Sequence, residues 1–270
     1  MSVDSSFGTR DPAGAIRIIP VGGMPEVQAG DPLIQFVADA IEASVGALVE
    51  GDVVAVTHKI VSKSEGGLID LRSVDPSVMA TRFAQEWGKD ARQVEVVLRQ
   101  SRRIIRMAHG LIIAETKHGL ICANAGVDAS NVSSDLVCIL PDDPDASAEG
   151  IRRGLILRFF PDHTVGPSPI GVIVTDSFGR PFRNGIVNVA IGVAGLSPIA
   201  DYRGQFDPNG YELRASILAV GDELASAAEL VMHKLAARPV AVIRGYVPQT
   251  TDPAGTSRDL IMAEERNLFL

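Results

Sequence analysis

The chain has 270 residues, 46% of them hydrophobic and 21% charged, which excludes a disordered chain and allows one large or two small domains. The 33 acidic against 25 basic residues give a net charge of −8, which disfavours non-specific binding to nucleic acid or to an anionic membrane. No apolar run reaches the 18 or so residues needed to span a bilayer, and the N-terminus lacks an apolar signal core, so a cytoplasmic protein is expected.

Residues 1–14 are polar and rich in Gly and Pro, which predicts a loose tail. AIRIIPV (15–21) reads as a first strand, ended by Gly22 and Gly23. Asp31-Pro32 has the form of a helix start, and Leu33, Phe36, Val37, Ala40 and Ile41 follow at helical spacing. DVVAVT (52–57) is a short buried strand that feeds a polar loop, HKIVSKSEGG. Residues 76–100 predict helix broken near Gly88, and the runs RIIRMA, GLIIAET and LICANA predict an antiparallel meander. DLVCIL (135–140) is another strand. A helix follows within PDDPDASAEGIRRGLILRFF, with Asp145 or Ser147 as its expected cap.

In the second half IGVIVT is a buried strand and DSFGRPFRNG a turn-rich loop. IVNVAIGVAG and ELRASILAV are further strand candidates, residues 222–237 an amphipathic helix with Leu235 on its apolar side, and PVAVIRGYV a last strand. The fold class predicted is α+β, with mixed and antiparallel sheets and flanking helices. One module is expected over 15–250, divisible into two subdomains, followed by a tail over 251–270. Cys122 and Cys138 both sit in apolar runs and read as core residues rather than a disulfide.

No P-loop, Rossmann glycine fingerprint or nucleophile elbow is present, so any nucleotide site must be built another way. Three loops, each following an apolar strand, concentrate the polar chemistry: THKIVSKSEGG with Lys59 and Lys63, ANAGVDASNVS with Asp128 and Asn131, and VTDSFGRPFRNG with Asp176, Ser177, Arg180 and Arg183. A hard cation held together with phosphate needs one or two carboxylates plus hydroxyl or water oxygens. Asp128, Asp176 and Ser177 supply that set, and Lys63, Arg180 and Arg183 could neutralise phosphate charge. The structural alternative is that each Asp is a turn residue or cap, and each basic residue a solvated surface charge.

Taken together, IIPVGGMPEVQAGD, GDVVAVTHKIVSKSEGG, ICANAGVDASNVS, VIVTDSFGRPFRNG, the stretch NVAIGVAGLSPIADYRGQFDPNGYELRASILAV and PVAVIRGY resemble the coenzyme F420-0:L-glutamate ligases, in order and over about 250 residues. The resemblance implies a GTP-dependent ligase that joins L-glutamate to the lactyl carboxylate of F420-0 (or its dehydro precursor) through an acyl phosphate, releasing GDP and phosphate. Further gamma-linked glutamates are an option. It also implies two divalent metals, Mn²⁺ or Mg²⁺, an association with K⁺, an intertwined homodimer, and no fused reductase domain. Carried over by motif, Met24, Pro25, Glu26, Val27, His58, Lys63, Asn131 and Lys234 contact nucleotide. Asp128, Asp176 and Ser177 hold the metals, and Asp128, Asp176 and Lys63 are the catalytic set. Two departures stand out: His58 occupies a position where a hydroxyl residue is commoner, and Met232-His233-Lys234 stands where some relatives carry Gly-Gln. The competing functions are a metal-dependent phosphohydrolase using the same aspartates and a GTP-binding regulatory module without turnover.

Overall fold

The structure, a computed structural model, describes residues 14–164, 166–247 and 254–268. The N-terminal tail expected over 1–14 lies outside the described residues except for Gly14, as do 251–253 and 269–270 of the C-terminal one. In chain order the first elements are β1 (Arg17–Val21), α1 (Leu33–Val45), β2 (Val53–Thr57), α2 (His58–Ser64), β3 (Leu68–Asp70), α3 (Val78–Trp87) and α4 (Ala91–Gln100). They are followed by β4 (Ser101–Ala108), β5 (Leu111–Thr116), β6 (Ile121–Ala123), β7 (Leu136–Cys138) and α5 (Pro144–Phe159). The chain closes with β8 (Gly171–Arg180), β9 (Arg183–Ala194), β10 (Ala200–Asp201), β11 (Ile217–Leu218), α6 (Val220–Met232) and β12 (Val240–Arg244). The α+β class with mixed and antiparallel sheets is as expected.

The main sheet has five strands in the order β1-β12-β2-β8-β9, antiparallel except where β2 pairs β8 in parallel. Both faces are covered, so the central strands are continuous apolar runs rather than alternating ones. Val54, Val56, Val172 and Val174 pack with Val37 and Ile41 of α1 and with Ile151 and Leu155 of α5. Val53, Ala55, Ile173, Ala241 and Ile243 pack with Leu224, Ala225, Ala228 and Met232 of α6. At the start of β2 the fully buried Asp52 accepts two bonds from the Arg244 guanidinium, at 2.9 and 2.7 Å, tying β2 to the end of β12. The meander β4-β5-β6 and helices α3 and α4 form a second, smaller core, and β3 pairs with β7 beside it. Gly88 ends α3 in the left-handed conformation, which a glycine adopts without Cβ strain.

Several expectations are corrected. HKIVSKS is helix α2, not loop. Its composition is polar because His58, Ser62 and Lys63 are buried polar groups rather than a solvated face. DSFGRPFRNG is not a loop either: β8 and β9 run through it as one long hairpin that turns at Pro181-Phe182. Asp31 does not cap α1; its carboxylate accepts the Gln28 N–H and the helix begins after Pro32. The cap of α5 is Asp143, which accepts the Ala146 N–H at 3.0 Å. ELRASILAV contributes only the two-residue β11, and α6 ends at Met232, leaving Leu235 94% exposed beyond it. Both cysteines are free and buried, as expected.

One irregularity shapes the hairpin. Val174 pairs with Gly192 but Thr175 with Ala190, so Ile191 is an extra residue in β9. Asp145 supplies a clamp across the same region: its carboxylate accepts the Val193 N–H at 2.7 Å and both the N–H and hydroxyl of Ser257, at 2.9 and 3.0 Å. Ser257 is buried, so this carboxylate helps to fasten the C-terminal segment to the core, where Leu260 also packs. Asp145→Ala removes the acceptor and leaves these donors unpaired, a loss of about 1–3 kcal/mol per orphaned group. We expect a lower midpoint in thermal unfolding and faster proteolysis around residue 257 than in the wild type.

Candidate active site

The sheet sets the position of the site. β2 ends at Thr57, opposite Thr175, while β8 continues for five more residues. The space past the carboxyl end of β2 becomes a cleft of about 340 Å³, as at the strand ends of other open sheets with parallel pairs. Four separated segments meet there: Met24–Val27 after β1, His58–Lys63 on α2, the loop carrying Asp128 and Asn131, and Asp176 with Ser177 on β8. Met232, His233 and Lys234 close the cleft from the end of α6. Every residue assigned from the resemblance lines this one cleft.

Helix α2 begins directly at His58, so its first turn points along the cleft wall. Lys59 and Lys63, four apart, lie on one helical face. Lys59 Nζ is 2.7 Å from Asp128 Oδ2 and donates to the Ser130 hydroxyl at 2.5 Å. Lys63 Nζ donates to Glu26 Oε1 at 2.5 Å and to the Asn131 carbonyl at 3.2 Å. Glu26 is largely exposed, so its contribution to holding Lys63 is small.

Asp128 sits at a backbone bridge to Cys138, and its Oδ1 accepts the Ser130 N–H at 2.6 Å. Burial pushes its carboxyl up, but the Lys59 ammonium and the Ser130 donors outweigh that and hold it below the usual carboxylate range. Asp176 and Ser177 are neighbours on a strand and so face opposite sides of the sheet. The Asp176 carboxylate accepts the Ser177 N–H at 2.6 Å. On the other face the Ser177 hydroxyl donates to Asn188 Oδ1 at 2.7 Å, and Asn188 Nδ2 donates to Glu229 of α6 at 3.1 Å. His58 is buried, with Nδ1 3.4 Å from the Ser62 hydroxyl. Its Nε2 is buried without a hydrogen-bond partner, although Asp176 Oδ1 is 3.3 Å away.

Arg180 and Arg183 do not line this cleft. They lie at the hairpin tip, where Arg180 donates to the Asn184 carbonyl at 3.0 Å. Arg180 is four residues past Asp176, on the order of 13 Å along the strand. Missing from the sequence reading are Lys59 as the partner of Asp128 and the Asn188–Glu229 pair behind Ser177. The signal for Lys59 was its i,i+4 spacing with Lys63, usable once α2 is recognised as a helix. The signal for Asn188 was a lone amide in an apolar strand.

Among the described residues no three His, Cys, Asp or Glu side chains converge as a metal cage. The oxygen donors present still suit a hard cation shared with phosphate. Such an ion takes one or two carboxylates and completes its shell with phosphate and water oxygens. Asp128, Asp176 and the Ser177 hydroxyl are donors of that kind, arranged around one cleft.

A family model described as F420-0:Gamma-glutamyl ligase matches residues 23–245. The chain is 44% identical over 257 residues to the Coenzyme F420:L-glutamate ligase of Methanopyrus kandleri, covering 94% of this chain and 97% of the relative. It is 43% identical over 255 residues to the protein of the same name from Methanothermobacter thermautotrophicus (94% and 98%), and 41% identical over 222 residues to that from Methanocaldococcus jannaschii (82% and 85%).

The Lys59–Asp128 pair has a pH signature. The Asp128 carboxyl is held lower in the folded chain than in the unfolded one, so its stabilisation is present above the unfolded value of about 4 and is lost as pH falls through the lower folded value. Lys59→Met removes the ammonium that supplies it. In metal-free protein the variant should be less stable by about 1–2 kcal/mol near neutral pH. The gap should close as pH drops below about 4. Urea unfolding at a series of pH values measures it.

Proposed function

The chain belongs to the F420-0:gamma-glutamyl ligase family, and from that premise we propose that it joins L-glutamate to the lactyl carboxylate of coenzyme F420-0 (or its dehydro precursor), using GTP. Supporting the reading most directly is the meeting of Lys63, Asp128, Asn131, Asp176 and Ser177, from distant parts of the chain, around one cleft.

A carboxylate resists attack by an amine because oxide is a poor leaving group. Phosphorylation solves this. An acceptor carboxylate oxygen bonds to the γ-phosphorus of GTP, the bond to the bridging oxygen breaks, and GDP departs. The glutamate amine then bonds to the acyl carbon. The C–O bond to phosphate breaks, and hydrogen phosphate leaves with the proton the amine gives up. Little covalent chemistry falls to the protein, whose contribution is to position the reactants and stabilise charge.

The chain's own residues divide this work. Met24–Val27 and Asn131 flank the nucleotide, with Lys63 placed to face its phosphates and Lys234 closing the rim. Asp128, Asp176 and the Ser177 hydroxyl would hold Mn²⁺ or Mg²⁺, which when bound neutralises phosphate oxygens. Asn188 and Glu229 fix the direction of the Ser177 hydroxyl. Lys59 keeps Asp128 ionised and ready to accept a cation. His58, buried beside Asp176, stands where the resemblance implies that a hydroxyl residue is commoner. A cytoplasmic homodimer and activation by K⁺ belong to the same proposal; light scattering and exchange of K⁺ for Na⁺ address them.

Incubation with GTP, Mn²⁺, L-glutamate and F420-0 should yield a glutamyl adduct by mass, with GTP turnover dependent on both other substrates. Absence of the adduct would overturn the reading. Asp128→Asn and Asp176→Asn should each lower the rate on the order of 10²-fold or more with the fold intact by circular dichroism; normal activity in either would remove that residue from the metal set.

A further inference from the structure

A second cavity, of about 720 Å³, lies against the β8–β9 hairpin. Resting on the ligase reading, we infer that it binds the body of the acceptor: an anionic molecule with a flat or apolar portion, carrying the carboxylate that reacts in the neighbouring cleft.

Position is the first argument. Phe178 and Val189 form part of the cavity wall. Phe178 lies two residues beyond Asp176 on the same face of β8, about 7 Å along the strand, and Val189 is the register partner of Asp176 itself. Ile121 of β6 lines the cavity as well. The cavity wall therefore includes the register partner of the carboxylate assigned to metal.

Charge is the second argument. In a chain of net −8, this cavity gathers Arg102, Arg103, Lys117 and Arg258. Glu115, nearly buried, is already shared by Arg102 at 2.9 Å and Arg103 at 3.0 Å. Arg103 also reaches Glu264 at 3.3 Å. The remaining carboxylate, Asp222, is pushed up by burial and accepts the Ala190 N–H. Lys117 and Arg258 make no side-chain hydrogen bond or ion pair among the described residues. Both are exposed, and an anionic ligand in the cavity would provide a counter-charge.

His118 adds a polar contact. Its Nε2 faces the Asp142 carbonyl at 3.1 Å, so that nitrogen donates, and its Nδ1 is buried without a partner. Phe178, Val189 and Leu260 give the cavity apolar walls. The volume falls in the usual range for small-molecule sites, roughly 300–1,000 Å³. Apolar walls with unpaired cations at the rim fit a ring system tethered to a phosphodiester better than they fit free glutamate, which has no apolar body.

The test is a double variant, Lys117→Ala with Arg258→Ala, at residues exposed enough to leave folding alone. F420-0 is titrated onto wild type and variant without GTP and followed by the fluorescence of its ring system. Steady-state assays of adduct formation run alongside. Expected are an F420-0 Kd and KM raised at least tenfold, with the KM for GTP within twofold of wild type. An unchanged F420-0 affinity in the variant, or no F420-0 binding by the wild type, overturns the proposal. If wild type binds F420-0 and the double variant does not, while neither forms an adduct, the cavity assignment stands and the ligase reading falls.

Discussion

The parallel pairing of β2 with β8 is the constraint on which the rest depends. Two adjacent parallel strands buried on both faces require cover on both sides, supplied here by α1 and α5 on one and α6 on the other. They also leave an open carboxyl end. Because β2 stops at Thr57 while β8 runs to Arg180, the chain turns directly into α2 and leaves Asp176 and Ser177 uncovered by a neighbouring strand on that side. The cleft is thus a consequence of unequal strand lengths, and the second cavity lies along the continuation of the same longer strand.

Within the cleft, two of the cations are paired with carboxylates before any ligand arrives. Lys59 neutralises Asp128 and Lys63 reaches Glu26. Replacing a protein ammonium by a metal ion, or a protein carboxylate by phosphate, exchanges one charge pair for another. Such exchange avoids leaving a buried charge uncompensated, which would cost several kcal/mol. Asp176 has no ammonium or guanidinium beside it among the described residues, only a buried imidazole nitrogen that lacks a formed hydrogen bond.

Much of this was legible in the sequence, and the rest was hidden for physical reasons. VVAVT, GVIVT and VAVIR announce their strands because β-branched runs buried on both faces have few other uses. Asp128, Asn131, Asp176 and Ser177 stood out as polar residues at strand ends. Helix α2 was hidden because burial there is polar: His58, Ser62 and Lys63 make an inward face look like a solvated loop. The length of the hairpin was hidden by Gly179 and Pro181, which signal a turn, whereas the turn itself is confined to two residues at the tip. That error carried Arg180 and Arg183 toward the site in the reading and away from it in the fold.

The extra residue Ile191 in β9 has an evolutionary consequence. By shifting the phase of β9 once, it brings Asn188 opposite Ser177 and Val189 opposite Asp176. In an unbroken ladder of the same residues Asp176 and Ser177 would instead face Ala190 and Val189, and the amide that orients the serine hydroxyl would face the opposite layer. Drift in chain length is therefore unequal along this ribbon. A residue gained or lost at the tip leaves these pairings in place, whereas one gained between Asn188 and Gly192 without a further bulge shifts every pair beyond it.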